Sequence, residues 1–222
     1  MDQSGLDPGR VGQALDGLTR INALSFSTAA LWREIRAEVP ADSSALLSLL
    51  DVATGAGDIP IGLLRRAHRA GIPLAVEACD KNPAMVALAA ERAARAGCAI
   101  RFFVQDVCGD LPTRRYDVVT CSLFLHHLTD EAALLLLQRL AAATGRLLLV
   151  SDLDRSLGGW LLARTATRLL TRSRIVHADG PRSVENAFSM AEIDTLVAQA
   201  GLPGARLRRQ WPQRWLLSWK PA

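Results

Sequence analysis

The chain has 222 residues, half of them hydrophobic, with a formal net charge of +4 and a pI near 9.2. That is enough apolar material for one core of ordinary size. The positive excess is nearly all arginine (Lys81 and Lys220 are the only lysines) and is spread along the chain, so no nucleic-acid partner is demanded. No apolar run reaches the ~18 residues that would span a bilayer.

Taken in chain order, residues 1–5 are polar and lack the apolar core of a signal peptide, which reads as a cytoplasmic protein. Residues 1–45 read as an N-terminal helical cap: Leu15, Leu18, Ile21 and Leu24, then Ala29, Leu31, Trp32 and Ile35, recur at helical spacing. Residues 48–153 then alternate strand and helix. Strands are expected at about 48–53, 74–79, 100–104, 116–121 and 146–151, with helices at about 60–70, 83–97 and 130–142. Asn82 with Pro83, and Thr129 with Asp130 and Glu131, mark two of the helix starts. The rhythm stops over residues 154–188. It resumes with the capping box Ser189-Met190-Ala191-Glu192 and closes in two apolar–basic runs, 206–209 and 214–219, read as strands. The pattern is that of a right-handed, mostly parallel α/β array.

The first strand ends in Asp51-Val52-Ala53-Thr54-Gly55-Ala56-Gly57-Asp58, with Pro60 in the turn that follows. Glycines let a backbone approach a ligand closely, and the new helix offers free N–H groups. A dinucleotide fingerprint needs a third glycine where Pro60 stands. Residues 51–58 resemble motif I of class I S-adenosylmethionine-dependent methyltransferases and are most similar to its quinone-biosynthesis branch. Ala53 stands where many members carry a first glycine. Asp80 ends the second strand, where an acid can accept both ribose hydroxyls, and Asp106 follows the third.

The resemblance implies a Rossmann-like sheet of seven strands, the last one antiparallel, with an N-terminal helical segment and a helical insertion after the fifth strand. It implies a single methyltransferase domain over 1–222: the helical cap 1–45, a cofactor-binding core 48–153, a substrate-lid insertion 154–188, and a closing helix and strands 189–222. S-adenosylmethionine, leaving as S-adenosylhomocysteine, is the implied cofactor. Its implied contacts are Asp51 toward the amino group, Ala53, Thr54, Gly55 and Gly57 in the loop, Asp80 and Lys81 at the ribose, Asp106 and Val107 at the adenine, and Ser122. The N-terminal helices would either border the cleft or only cover the sheet edge.

A phenol, with a pKa near ~10, needs help to lose its proton at neutral pH, and a histidine near ~6.5 is the natural base. His126 and His127 follow the fourth strand in Leu123-Phe124-Leu125-His126-His127-Leu128, a place where the resembled family puts residues that face substrate or cofactor. His177 sits in a polar, Gly-Pro-containing stretch, 175–183, read either as a lid loop bringing it over the substrate or as a plain surface loop. His126 and His177 are therefore the candidate bases, with His127, Asp152 and Arg182 as substrate contacts. His68, in an Arg-rich helix, reads as solvated. Cys79, Cys98, Cys108 and Cys121 have no Cys-x-x-Cys spacing, and the acids that a metal-dependent catechol methyltransferase needs are missing, so no metal is expected.

The insertion carries Arg164, Arg168 and Arg172 four apart, with Leu161, Leu162, Leu169 and Leu170 elsewhere on the wheel. The pattern reads as a solvated arginine face above leucines turned to the core. Contact with an anionic membrane or an apolar ligand is the alternative. Residues 152–188 are also similar to methyltransferases that accompany type III polyketide synthases in bacteria, on Asp152-Leu153-Asp154-Arg155 and Asp179-Gly180-Pro181. The expected acceptor is an apolar or aromatic small molecule of secondary metabolism, a phenolic or polyketide-derived lipid or a quinone precursor. It would be methylated on oxygen or, second, on carbon. A nicotinamide-dependent reductase and a cofactor-binding protein that no longer transfers methyl remain as rivals. Oligomeric state is not legible.

Overall fold

The computed structural model describes residues 27–39, 45–109, 114–171 and 174–221. In chain order the elements are α1 (Ser27–Glu38), β1 (Leu47–Val52), α2 (Asp58–Arg69), β2 (Leu74–Asp80), α3 (Pro83–Arg95), β3 (Ile100–Val104) and β4 (Tyr116–Ser122). A 3-10 turn (Leu125–His127) follows, then α4 (Asp130–Ala143), β5 (Thr144–Leu153), α5 (Leu157–Leu170), α6 (Arg174–Glu185), α7 (Met190–Gln199), β6 (Arg206–Gln210) and β7 (Arg214–Trp219). The seven strands form one sheet in the order β3-β2-β1-β4-β5-β7-β6. β7 runs antiparallel to both its neighbours, while the pairs from β3 to β5 are parallel.

Alternate residues of the strands serve two cores. Leu50, Val52, Val119, Cys121, Val150 and Leu217 pack with Leu136, Leu137 and Leu140 of α4 and Ile193 of α7. Their neighbours Leu49, Val118, Leu149 and Leu216 pack on the other face with Leu31 and Ile35 of α1 and Leu63 and Leu64 of α2. Covered on both faces, the strands read as unbroken apolar runs rather than as alternation. The helix starts are built as their sequences indicate. Asn82 accepts from the Ala84 N–H, Thr129 from the Ala132 N–H, and Ser189 and Glu192 form a reciprocal capping box.

Two expectations are corrected. Residues 174–185 are helix α6, not a loop. Pro181 lies inside it, and Gly180 lets α6 approach α5 so closely that a Cβ there would lie 2.5 Å from the Thr167 methyl. Leu161, Leu162 and Leu169 of α5 do not turn to the core: they are exposed, and among the described side chains small or short residues, Gly159 and Thr167, are the buried ones; the Leu170 side chain lies outside the described ones. β5 also starts at Thr144, two residues before the expected strand. Of the N-terminal cap, Ser27–Glu38 is helical; Leu15, Leu18, Ile21 and Leu24 lie outside the described residues, as does Arg172.

Candidate active site

The carboxyl ends of β1, β2 and β3 stand side by side, and the acids expected there share one edge of the sheet. Asp80 is a clamp. Its Oδ2 accepts from the Gly55 N–H at 2.8 Å and its Oδ1 from the Asn82 N–H at 2.9 Å, so the β1 loop and the start of α3 are tied to one carboxylate. Asp106 holds its own turn by accepting from the Cys108 N–H at 2.9 Å. Among the described residues the second oxygen of Asp106 has no hydrogen-bond partner, and Asp80 keeps further lone pairs. Lys81 is exposed beside Asp80, whereas the Val107 side chain is buried in the core and has only backbone to offer.

Asp51 differs from the other two acids. It is buried, with Oδ1 accepting from the Thr120 hydroxyl at 2.5 Å and Oδ2 from the Thr54 hydroxyl at 2.6 Å. Burial pushes its pKa from 3.8 up to about 6, against the pull of Thr120 and Thr54 and with the charge of Asp80 adding to the rise. The loop beyond it is left-handed at three positions, Ala53 (φ 55°), Gly55 (φ 54°) and Gly57 (φ 78°). Ala53 thus occupies backbone that favours glycine, at a cost of about 1 kcal/mol. Around Gly55 the space a Cβ would take is open. No side chain caps α2, whose first N–H groups follow Gly57, and Arg92 pins the loop by pairing with Asp58 at 2.6 Å and donating to the Ala56 carbonyl.

The other half of the sheet edge carries a different constellation. Leu123 follows β4 with φ 55°, strained for a leucine, and its N–H donates to the Ser151 carbonyl at 2.8 Å. This turns the chain into the 3-10 turn and lays His126 over the end of β5. There Asp152 accepts from His126 Nδ1 at 2.7 Å and from the His126 backbone N–H at 3.1 Å. Both oxygens of Asp152, expected as a substrate contact, are committed to His126 and the Leu153 N–H, and the carboxyl is buried. Burial alone would raise its pKa, but the His126 charge and these hydrogen bonds together hold it below the ordinary value. An ionised carboxylate only accepts, so Nδ1 carries the hydrogen and Nε2 is the ring nitrogen left to exchange a proton.

The remaining candidates are not drawn into this arrangement. His127 is exposed, its ring 4.1 Å from that of His126. His177 is half-buried on α6, and its Nε2 donates to the Thr171 carbonyl at 2.8 Å. Arg182, on the same helix, is exposed. α6 packs against the 3-10 turn, so the insertion borders the segment that carries His126. Ser122 at the end of β4 and Ser151, its register partner on β5, hold buried hydroxyls that have no hydrogen-bond partner among the described residues. Ser151, Thr120 and Leu123 escape a reading by motif. Thr120 and Ser151 have register as their signal, standing level with Asp51 and Ser122, and Leu123 has only its bond to the Ser151 carbonyl.

A family model described as a methyltransferase domain matches residues 49–145. No curated protein matches the chain. Among solved structures, magnesium protoporphyrin IX methyltransferase (ChlM) from Synechocystis PCC 6803 with bound SAH is similar at TM-score 0.63 and 18% identity, over 99% of this chain and 90% of that one. A SAM-dependent methyltransferase from Aquifex aeolicus is similar at TM-score 0.64 and 18% identity, over 98% and 100%. An O-methyltransferase family 2 protein from Planctomyces limnophilus DSM 3776, in complex with apigenin, is similar at TM-score 0.63 and 18% identity; all of this chain spans 64% of that one. At such identities the structural likeness speaks for the fold, while the family match speaks for the β1–β5 core. Residues 49–145 match a methyltransferase domain, and the chain shares the fold of solved S-adenosylmethionine-dependent methyltransferases.

Proposed function

We propose that the chain methylates an oxygen of an apolar or aromatic small molecule, with His126 as general base and Asp152 as its orienting partner. The observation that carries this reading is the His126–Asp152 pair, buried at the carboxyl ends of adjacent strands with Nε2 left to receive a proton. Carbon methylation stands second. The neighbour bound to apigenin and the magnesium protoporphyrin methyltransferase support a small-molecule acceptor.

The residues present suit the cofactor. Asp80 is assigned to the ribose hydroxyls, with Lys81 beside it. Asp106 is assigned to the adenine amino group and the Val107 backbone to the ring. Thr54, Gly55 and Gly57 line the loop with Ala53. Asp51 and the unpartnered Ser122 hydroxyl suit a cationic amino group, which would relieve the cost of the buried Asp51 charge. The bound cofactor supplies a methyl group on a positively charged sulfur, ready for direct displacement.

In this reading Asp152 fixes the His126 tautomer, and Nε2 takes the acceptor's hydroxyl proton as the oxygen becomes nucleophilic. The low carboxyl pKa keeps Asp152 ionised, so it stabilises the imidazolium that forms without taking the proton itself. The insertion helices exclude water from the same end of the cleft. Here His177 and Arg182 shape the lid and His127 borders the acceptor. Screening phenols and quinone precursors with radiolabelled methyl donor tests the assignment. Label entering an oxygen of one of them, and lost in His126→Ala, is the expected result. Transfer at full rate by His126→Ala would overturn it.

A further inference from the structure

The two insertion helices are packed inside out. α6 approaches α5 along Gly180, and the α5 residues it covers are Gly159 and Thr167 rather than leucines. Four leucines of α5 point the other way. Leu157 and Leu169 are each 84% exposed, Leu161 57% and Leu162 39%. Among them stand Arg164 and Arg168, both exposed, and the helix Leu157–Leu170 holds no acidic residue. Trp160 is anchored beneath this face, with its indole N–H on Glu185 at 2.8 Å and the Arg164 guanidinium 5.4 Å from its ring centre. The helix is 14 residues long, about 21 Å, too short to cross a bilayer, and no helix among the described residues is long and apolar enough to do so.

We propose that α5 is an interfacial helix that seats the protein on an anionic lipid surface. Leucines and guanidinium groups on one outward face are what such a surface selects: the alkyl groups enter the acyl boundary and the arginines meet lipid phosphates. A second copy of the chain fits this face less well. A two-fold pair through α5 would set Arg164 and Arg168 against their own equivalents, with no acid on the helix to receive them. The docking rests on the exposed face and not on the methyl-transfer reading. Its functional use, gathering apolar acceptors from lipid beside the α6-bordered cleft, rests on both.

The test is co-sedimentation of the full chain with vesicles, which needs no turnover and so separates this inference from the proposed chemistry. One set is phosphatidylcholine alone, and the other contains roughly one part in three phosphatidylglycerol. Each arginine near an anionic surface is worth about fivefold in partitioning, so the second set should bind about 25-fold better, and salt should erode the difference. Arg164→Glu with Arg168→Glu, at exposed positions, should abolish that preference. Leu161→Ser with Leu169→Ser should abolish binding to both sets while leaving the lipid-free melting temperature unchanged. Failure to sediment with the anionic vesicles overturns the proposal. So does a dimer in light scattering that the serine pair converts to monomer, which would make a second copy the occupant. A large drop in lipid-free melting temperature for the serine pair also overturns it, since the chain itself would then cover the face.

Discussion

Asp51→Asn isolates a buried charge whose cost is visible in the structure. The rise in its pKa from 3.8 to about 6 corresponds to about 3 kcal/mol spent on keeping it ionised at neutral pH. Between those two values the folded chain holds a proton that the unfolded chain has lost, so stability falls as pH rises through that window and stays low above it. Asparagine removes the charge and keeps the shape. The Thr120 hydroxyl has the Leu50 carbonyl at 3.5 Å as a second acceptor, so it can turn to receive the new amide. The variant without cofactor should therefore melt several degrees higher than the parent at pH 7, at about 2–4 °C per kcal/mol for a chain of this size, and no higher near pH 4. Affinity for S-adenosylmethionine should move the opposite way. An ammonium group beside the carboxylate returns its pKa toward the ordinary range. Binding to the parent should then strengthen about tenfold from pH 5 to pH 7 with release of a proton, whereas the variant should bind weakly and without that slope. Calorimetric titrations in buffers of different ionisation enthalpy, with melts across the same pH range, measure both. A variant that melts lower than the parent at pH 7, or keeps its pH slope in Kd, would refute this account of Asp51.

Three further outcomes follow from the site. His126→Ala should lower kcat by about 10²–10⁴ with cofactor affinity intact by equilibrium dialysis, and Asp152→Asn should approach the same loss by stabilising the wrong tautomer; full activity in Asp152→Asn would separate the pair. Asp80→Ala should weaken cofactor binding by about 1–3 kcal/mol by calorimetry, because a charged acceptor shared with the Gly55 and Asn82 N–H groups is lost. Gly57→Ala should cost about 1–2 kcal/mol in denaturant unfolding, since φ is 78° and its Cβ would lie 3.1 Å from that of Ala89.

The elements that were legible in the sequence are those whose signals are local. Asn82-Pro83, Thr129 and the Ser189–Glu192 box mark helix starts through hydrogen bonds made within three residues. Asp51, Asp80 and Asp106 are legible because each ends or follows an apolar run. What was not legible depends on contacts distant in sequence. Gly180-Pro181 looks like a break, yet the glycine is there because α5 presses on it, and tertiary packing outweighs the local tendency. The partnership of His126 with Asp152 spans 26 residues and exists because β4 and β5 are neighbours with Ser122 level with Ser151. The outward leucines of α5 defeat a wheel diagram, which shows an apolar stripe but not the side on which the protein lies.

The strand order itself has a consequence for how this molecule can change. β1 is the hinge of the layout: in the proposed reading the donor's contacts hang from β1, β2 and β3, with Ser122 of β4 added to them, and the His126–Asp152 pair hangs from β4 and β5, with the α5–α6 pair inserted after them. In that reading donor and acceptor are served largely by opposite wings. Mutations can accumulate in the acceptor wing, re-cutting its pocket for a new molecule, without loosening the donor's seat. A laboratory seeking to redirect this scaffold would randomise that wing and leave the other untouched.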